Sequence, residues 1–253
     1  MHTKNLSSLN RFNLIMAVLH GLQGVVVLIL SRDFSLPIST SFLSFSQTTQ
    51  SLGPATDTVF NLSLPLLIAK FFFLSAIFHL AITTFYRPTY ESNLARGMNK
   101  ARWVEYALSA SIMMVAISLL VGIYDLGSLI MVFALTAGMN LMGLVMEVHN
   151  QTTKETNWLS YWIGCLLGAV PWLVVVLYLW SGYANGSTAP TFVYWIFVSI
   201  FVFFNCFAIN MWLQYKKIGP WKDYLYGERV YMILSLVAKS LLAWQVFAGT
   251  LRP

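Results

Sequence analysis

Residues 229–248 read RVYMILSLVAKSLLAWQVFA, an apolar run interrupted only by Arg229 at its start, Ser235, Ser240, Gln245 and a single base, Lys239, near its middle. A helix rises 1.5 Å per residue, so a run of this length crosses about 30 Å, the hydrocarbon thickness of a bilayer. Six comparable runs precede it: about Phe12–Leu30, Leu64–Phe85, Ala101–Ile123, a fourth from the turn at Asp125 and Gly127 to about Val148, Trp158–Trp180 and Thr191–Tyr215. Lipid offers the backbone no hydrogen-bond partner, which makes helix the expected form of each. The sequence therefore predicts an all-α membrane protein, a bundle of seven transmembrane helices built by residues 1–253 as one domain.

Composition points the same way. Of 253 residues 58% are apolar and 9% charged, whereas soluble domains carry about a quarter charged residues. The net charge of +6 would be compatible with nucleic acid, but the bases lie in short loops between apolar runs, so they are expected to orient the chain in a membrane rather than bind nucleic acid. Lys4, Arg11, Arg87, Arg96, Lys100, Arg102, Lys154, Lys216, Lys217, Lys222 and Arg229 fall on the side of the N-terminus, and only Arg32 and Arg252 on the other. This asymmetry predicts a multi-pass protein of the cell membrane with a cytoplasmic N-terminus and an extracellular C-terminus. Met1–Asn10 lacks the apolar core and cleavage site of a removable signal. Cys165 and Cys206 lie inside apolar runs and read as small buried side chains rather than a disulfide. The longest polar stretch, Ser31–Asn61, is the first outer loop, and the alternation STSFLSF at 39–45 predicts a short β-hairpin outside the bilayer.

Two lysines stand inside spans, where a cation at the bilayer centre costs about 2.5–3.5 kcal/mol. Lys70 lies about a turn from the outer end of the second span and can snorkel to the interface. Lys239 can reach neither surface easily. A buried amine is a nucleophile toward an aldehyde, and the cation formed needs an anion beside it. Glu105, inside the third span, is the candidate; Glu147, near the end of the fourth, is expected to be solvated. The alternative is a Lys239–Glu105 pair that only fixes helix packing. Ser235 shares a helical face with Lys239, Ser109 with Glu105, His20 with Gln23, and Ser75 with His79. The two histidines suggest a buried polar cavity able to hold water and accept a proton. Trp162, Trp172, Phe203, Phe204 and Trp244 could wall a flat slot for a polyene, although aromatics also fill helix interfaces. Pro171 is expected to kink the fifth helix, and Gly164 and Gly168 to admit a close neighbour.

Seven spans with a lysine midway along the last and an acid in the third resemble a microbial-type rhodopsin. Ser235-Leu-Val-Ala-Lys239-Ser240 with Ala243-Trp244-Gln245, Arg102-Trp-Val-Glu105-Tyr106, Gly227-Glu228-Arg229 and Gly168-Ala-Val-Pro171-Trp172 resemble, more closely, the heliorhodopsins. The inverted orientation agrees with that family, as does Ser235 at a position where ion-pumping rhodopsins usually carry aspartate. The resemblance implies that all-trans retinal is carried on Lys239 as a protonated Schiff base with Glu105 as counterion, tuned by Ser235 and Ser75. It implies a polar cavity of His20, His79, Gln23 and Asn13 on the cytoplasmic side. Less specifically it implies a retinal pocket of Met139, Asn140, Gly143, Trp172, Phe203, Phe204 and Asn205. It further implies a homodimer assisted by the outer loop, and a light sensor whose proton transfer drives a conformational signal to an unknown cytoplasmic partner without net pumping. A light-driven proton transporter or channel and a retinal-free transporter gated by the Lys239–Glu105 pair are the rival readings. An intramembrane hydrolase built from His20, His79 and Glu105 has no paired-histidine motif or activated nucleophile to support it, so no enzyme and no metal site are expected.

Overall fold

Four of the membrane-spanning helices begin at a polar residue whose side chain caps the first turn. The structure, a computed structural model, describes residues 2–253. Its elements are α1 (His2–Leu30), the strands β1 (Ser35–Ser46) and β2 (Ser51–Ser63), α2 (Leu64–Thr83), α3 (Arg87–Ala95), α4 (Lys100–Leu120), α5 (Leu126–His149), α6 (Leu159–Ala184), α7 (Thr191–Tyr215) and α8 (Tyr224–Val246), the last continued by a π turn at Phe247–Leu251. Seven of these helices are long and apolar enough to cross a membrane, and the chain is an integral membrane protein. Ser63, Asn99, Asp125 and Asp223 cap α2, α4, α5 and α8, each side chain accepting from a backbone N–H of the first turn. The Asp223 cap starts the last span five residues before Arg229, where the apolar run alone placed it. Helix α3 was not anticipated; Pro88 at its start and the Arg87–Glu91 pair at 2.7 Å favour it. Pro171 lies buried inside α6, which continues through it to Ala184.

The helices pack as neighbours in the order α1–α2–α4–α5–α6, and α7 packs on α8, which returns to α1. The middle helix α4 touches α2, α5, α6 and α7 and is the most enclosed. One half of the bundle interior is a continuous apolar core including Val27, Leu64, Ile68, Met114, Ile117, Leu242 and Val246. This half lies at the end carrying the strands, called here the hairpin end.

The hairpin is longer than the alternation at 39–45 indicated. β1 and β2 pair antiparallel from Ser35↔Ser63 to Ser46↔Ser51, with one irregularity between Ile38 and Ser39. Its base is anchored: Ile38 is buried in the core, Ser39 N donates to Tyr124 O at 3.0 Å, and Leu64 N donates to Phe34 O at 2.9 Å. Phe42, Leu43, Phe45 and Leu52 stay exposed toward its tip. Beside it Arg32 ties the end of α1 to the end of the chain, through N–H to Leu251 O at 2.8 Å and Nε to Thr250 O at 2.9 Å.

The α5 cap gives a first prediction. The Asp125 carboxylate accepts from Ser128 N at 2.8 Å and Ser128 Oγ at 2.9 Å, and these bonds hold it below the usual carboxylate range. Asp125→Ala should cost about 1 kcal/mol of stability at neutral pH. A depressed folded pKa contributes stability above the unfolded value and loses it as pH falls through the folded one. Thermal unfolding of wild type and variant should therefore converge in acid; a gap that persists there would remove the cap as its cause.

Candidate functional site

Helices α2, α4 and α8 bring four side chains to one point inside the bundle. Lys239 Nζ donates to Ser235 Oγ at 2.6 Å, one turn earlier on α8, and to Glu105 Oε1 at 3.1 Å on α4. Ser75 Oγ, on α2, donates to the same carboxylate oxygen at 2.6 Å. All four residues are buried, so the charges are paired where water cannot screen them. Lys239 Nζ also lies 5.4 Å from the Tyr106 ring centroid, and Tyr106 Oη donates to Tyr231 O at 2.9 Å. The spacing that put Lys239 and Ser235 on a common face brings the two into hydrogen-bond contact, whereas Ser109, one turn from Glu105, makes no hydrogen bond to it.

Toward the middle of the bundle the amine opens on an apolar slot. A cavity of about 40 Å³ is lined by Lys239, Ser235, Ser109, Met113, Tyr106 and Phe204, among others. A second cavity, of about 80 Å³, is lined by Gly143, Gly164 and Trp103, among others, and shares Met139, Asn140, Phe204 and Phe207 with the first. Those four shared side chains partition one slot. Met139, flexible and leaning on Gly168 where a Cβ would collide with its sulfur, is the easiest of them to move. Trp172 closes the wall behind Phe204 edge-on at 5.5 Å. The slot has one nucleophilic amine at a polar end, apolar and aromatic walls beyond it, and a buried Ser109 Oγ without a partner. Those are the donors and walls that a polyene aldehyde requires, so the residues fit retinal.

Several expected pocket residues lie elsewhere. Asn205 is exposed on the outer face of α7 and spends its amide on Phe201 O at 2.8 Å, a bond within its own helix. Trp162 is likewise exposed on the outer face of α6. Phe203 packs against the apolar core rather than lining the slot. Gly143 does line the second cavity, with the Trp103 indole occupying the space a Cβ would take.

On the other side of the ion pair, away from the hairpin end, the interior is polar. His79 Nδ1 and Asn13 Oδ1 are 2.7 Å apart, Asn13 Nδ2 donates to Leu9 O at 3.0 Å, and His20 stacks on His79 with centroids 5.7 Å apart. Both His20 ring nitrogens are buried without a partner. Asn13 Nδ2 also reaches Tyr90 Oη at 3.4 Å, and burial pushes that phenol up to about 12, so it keeps its proton. Gln23 does not join this cavity: it lies one turn toward the hairpin end, where its Oε1 accepts from Trp244 Nε1 at 3.1 Å.

A cavity of about 20 Å³, room for about one water, links Glu105, His79 and Asn13 to Asn99, Arg102 and Glu228. Here the sequence reading needs its main correction. Arg102 is not a loop base and Glu147 is not solvated; both are buried, with Glu228. Arg102 forms ion pairs with both carboxylates. Asn99 N donates to Glu147 Oε2 at 2.8 Å, Asn99 Nδ2 to Glu228 Oε2 at 2.7 Å, and Tyr224 Oη to Glu147 Oε1 at 3.1 Å. The guanidinium lies over the Tyr231 ring at 4.0 Å and the Trp103 ring at 4.6 Å. The available signal was Arg102 three residues before Glu105, which puts both on one face of α4 and turns Arg102 inward as well.

Among the described residues no group of three or more histidine, cysteine or acidic side chains could hold a metal ion. Comparison with family models gives one described as Heliorhodopsin, matched by residues 9–251. Comparison with curated proteins gives no match.

Proposed function

The chain belongs to the heliorhodopsin family, a family of light-responsive retinal proteins, and from that premise we propose that it is a light sensor rather than a pump, carrying all-trans retinal on Lys239. The observation that carries this reading is the asymmetry about Lys239. Away from the hairpin, a polar route runs from Glu105 through His79 and Asn13 to the Arg102–Glu147–Glu228 cluster. Toward the hairpin, the interior is apolar, and Asp33, Asp57 and Asp125 all lie in the loop, the strand or the α5 cap. A proton released at Lys239 then has ionisable acceptors on one side and, among the described residues, no buried carboxylate or histidine across the other half, which opposes net transport.

Retinal, joined to Lys239, supplies absorption of visible light and a change of shape on isomerisation. The protein's own groups do the rest. Glu105 Oε1 balances positive charge on the Lys239 nitrogen, while Ser235 and Ser75 fix the two partners by hydrogen bonds. The apolar half excludes water, which strengthens that ion pair and makes its separation costly. Movement of the proton from the Lys239 nitrogen toward His79, Asn13 and the cavity water changes the charge facing Arg102. A helix displacement at that end is the signal, passed to a cytoplasmic partner. The excess of loop bases at that end supports a cytoplasmic location for it and for the N-terminus. The exposed Phe42, Leu43, Phe45 and Leu52 suit the hairpin to a homodimer contact.

Glu105→Gln tests this reading. A neutral amide cannot balance the cation, so the proton at the Lys239 nitrogen should be lost at lower pH than in wild type. Titrating the visible band with retinal bound should show it vanish at least one pH unit earlier, equivalent to about 1.4 kcal/mol. An unchanged titration would remove Glu105 as counterion. Sustained light-driven acidification or alkalinisation by vesicles holding the wild type would replace the sensor with a pump.

A further inference from the structure

The surface directly above the buried cluster holds a basin that the chromophore reading does not use. Three loops wall it: Arg96 and Gly97 between α3 and α4, Asn150 to Thr156 between α5 and α6, and Lys217 to Lys222 between α7 and α8. Its volume is about 500 Å³, within the range of small-molecule sites, roughly 300–1,000 Å³. Arg96, Lys154, Lys217 and Lys222 line it against one carboxylate, Glu155, a surplus of three positive charges. Trp221 adds an aromatic wall, its Nε1 held by Asn210 Oδ1 at 2.6 Å and its ring braced edge-on by Tyr226.

A second observation is independent of charge. Helix α7 ends in a Schellman turn, with Ile218 N–H donating to Leu213 O and Lys217 N–H to Gln214 O, both at 3.2 Å. The residue that such a turn holds in the left-handed region is normally glycine. Here it is Lys217, at φ +53°. A lysine kept where backbone geometry favours glycine puts its side chain at the basin's edge at a conformational cost, and among the described residues none forms a hydrogen bond or ion pair with that side chain.

We propose that this basin binds a soluble, phosphate-bearing anion of metabolite size. A phosphate accepts several hydrogen bonds at once and carries the charge that four converging bases call for. The basin's floor connects it to the interior: Tyr224 Oη donates to Glu147 Oε1, Tyr215 Oη donates to Met146 O at 3.1 Å, and Gln214 Nε2 donates to Tyr224 O at 3.1 Å. A ligand resting on Tyr224 is thus one side chain away from the Arg102 cluster.

The test is a calorimetric titration, in the dark, of the full chain with retinal supplied, held in discs of zwitterionic lipid. ATP should bind saturably at one site and inorganic phosphate should compete with it. Lys217→Gly should weaken ATP about tenfold, the loss of one charge-assisted contact, while leaving thermal stability equal or higher because glycine suits the turn. Lys154→Gln with Lys222→Gln should lower affinity further, by about a hundredfold. No saturable binding up to millimolar ligand, or equal affinity in Lys217→Gly, overturns the proposal. Repeating the titration at one fixed salt concentration in zwitterionic and in phosphatidylglycerol discs separates sources: ATP binding retained in both supports a soluble ligand, and binding abolished only in phosphatidylglycerol assigns the basin to lipid headgroups and overturns it. The readout needs no visible band, so it stands or fails apart from the chromophore.

Discussion

Lys239→Ala, supplied with retinal, is expected to show no visible band under conditions where the wild type is coloured. Of the two lysines inside spans, Lys70 is exposed on the outer face of α2, so Lys239 is the amine that the interior slot can use. Loss should therefore be complete rather than partial. The substitution has a second effect, since it leaves Glu105 buried and without its cation; removing one partner of a buried pair costs about 3–5 kcal/mol. A colourless Lys239→Ala protein alone does not separate loss of the amine from misfolding, and the double variant Lys239→Met with Glu105→Gln removes that ambiguity because both charges leave together. It should fold with near-wild-type stability and still show no band. A band of wild-type intensity in Lys239→Ala would exclude the Lys239 attachment. No band in wild type would leave the Lys239–Glu105 pair as a packing or gating device.

Arg102→Met should be the most destabilising change in the bundle that leaves the chromophore's own contacts intact. It strands two carboxylates, Glu147 and Glu228, each about 1% exposed, with only Asn99 and Tyr224 to solvate them. The cost of an unpaired buried charge, about 3–5 kcal/mol, is a large part of the total stability of most domains, about 5–15 kcal/mol. Thermal denaturation followed by loss of the visible band should show a marked fall at neutral pH. Adding Glu147→Gln and Glu228→Gln should recover most of it, as should acid that protonates the two groups. A single variant as stable as wild type would mean that the cluster is hydrated and not held by Arg102.

The bundle was legible because each span carries its own evidence in length and hydropathy, and four of them add a polar cap, all of which act locally. Lys239, Glu105 and Ser235 were legible for a related reason, since an ion in lipid must be paired and the apolar runs offered few partners, whereas Ser75 beside the pair followed from the family resemblance. The cluster around Arg102 was not. A base near a span end reads as interfacial, and only its packing under Trp103 and Tyr231, from α4 and α8, buries it. Gln23 and Asn205 failed differently. Helical spacing fixes which residues share a face but not which way that face turns, and Gln23 turns to Trp244 while Asn205 turns outward. Helix α3 was hidden because nine residues with little apolar content carry no span signal.

The ties at the hairpin end have a mechanical consequence. Arg32 to Thr250 and Leu251, Ser39 to Tyr124 and Leu64 to Phe34 are backbone-anchored bonds that join both ends of the chain's helical ring to its middle. That end behaves as a clamp. The opposite end is gathered around one guanidinium and held by its ion pairs with Glu147 and Glu228. In the proposed mechanism, a push delivered at Lys239, between the two, works against a fixed pivot and its travel is delivered at the far rim, like the jaws of pliers riveted at one end.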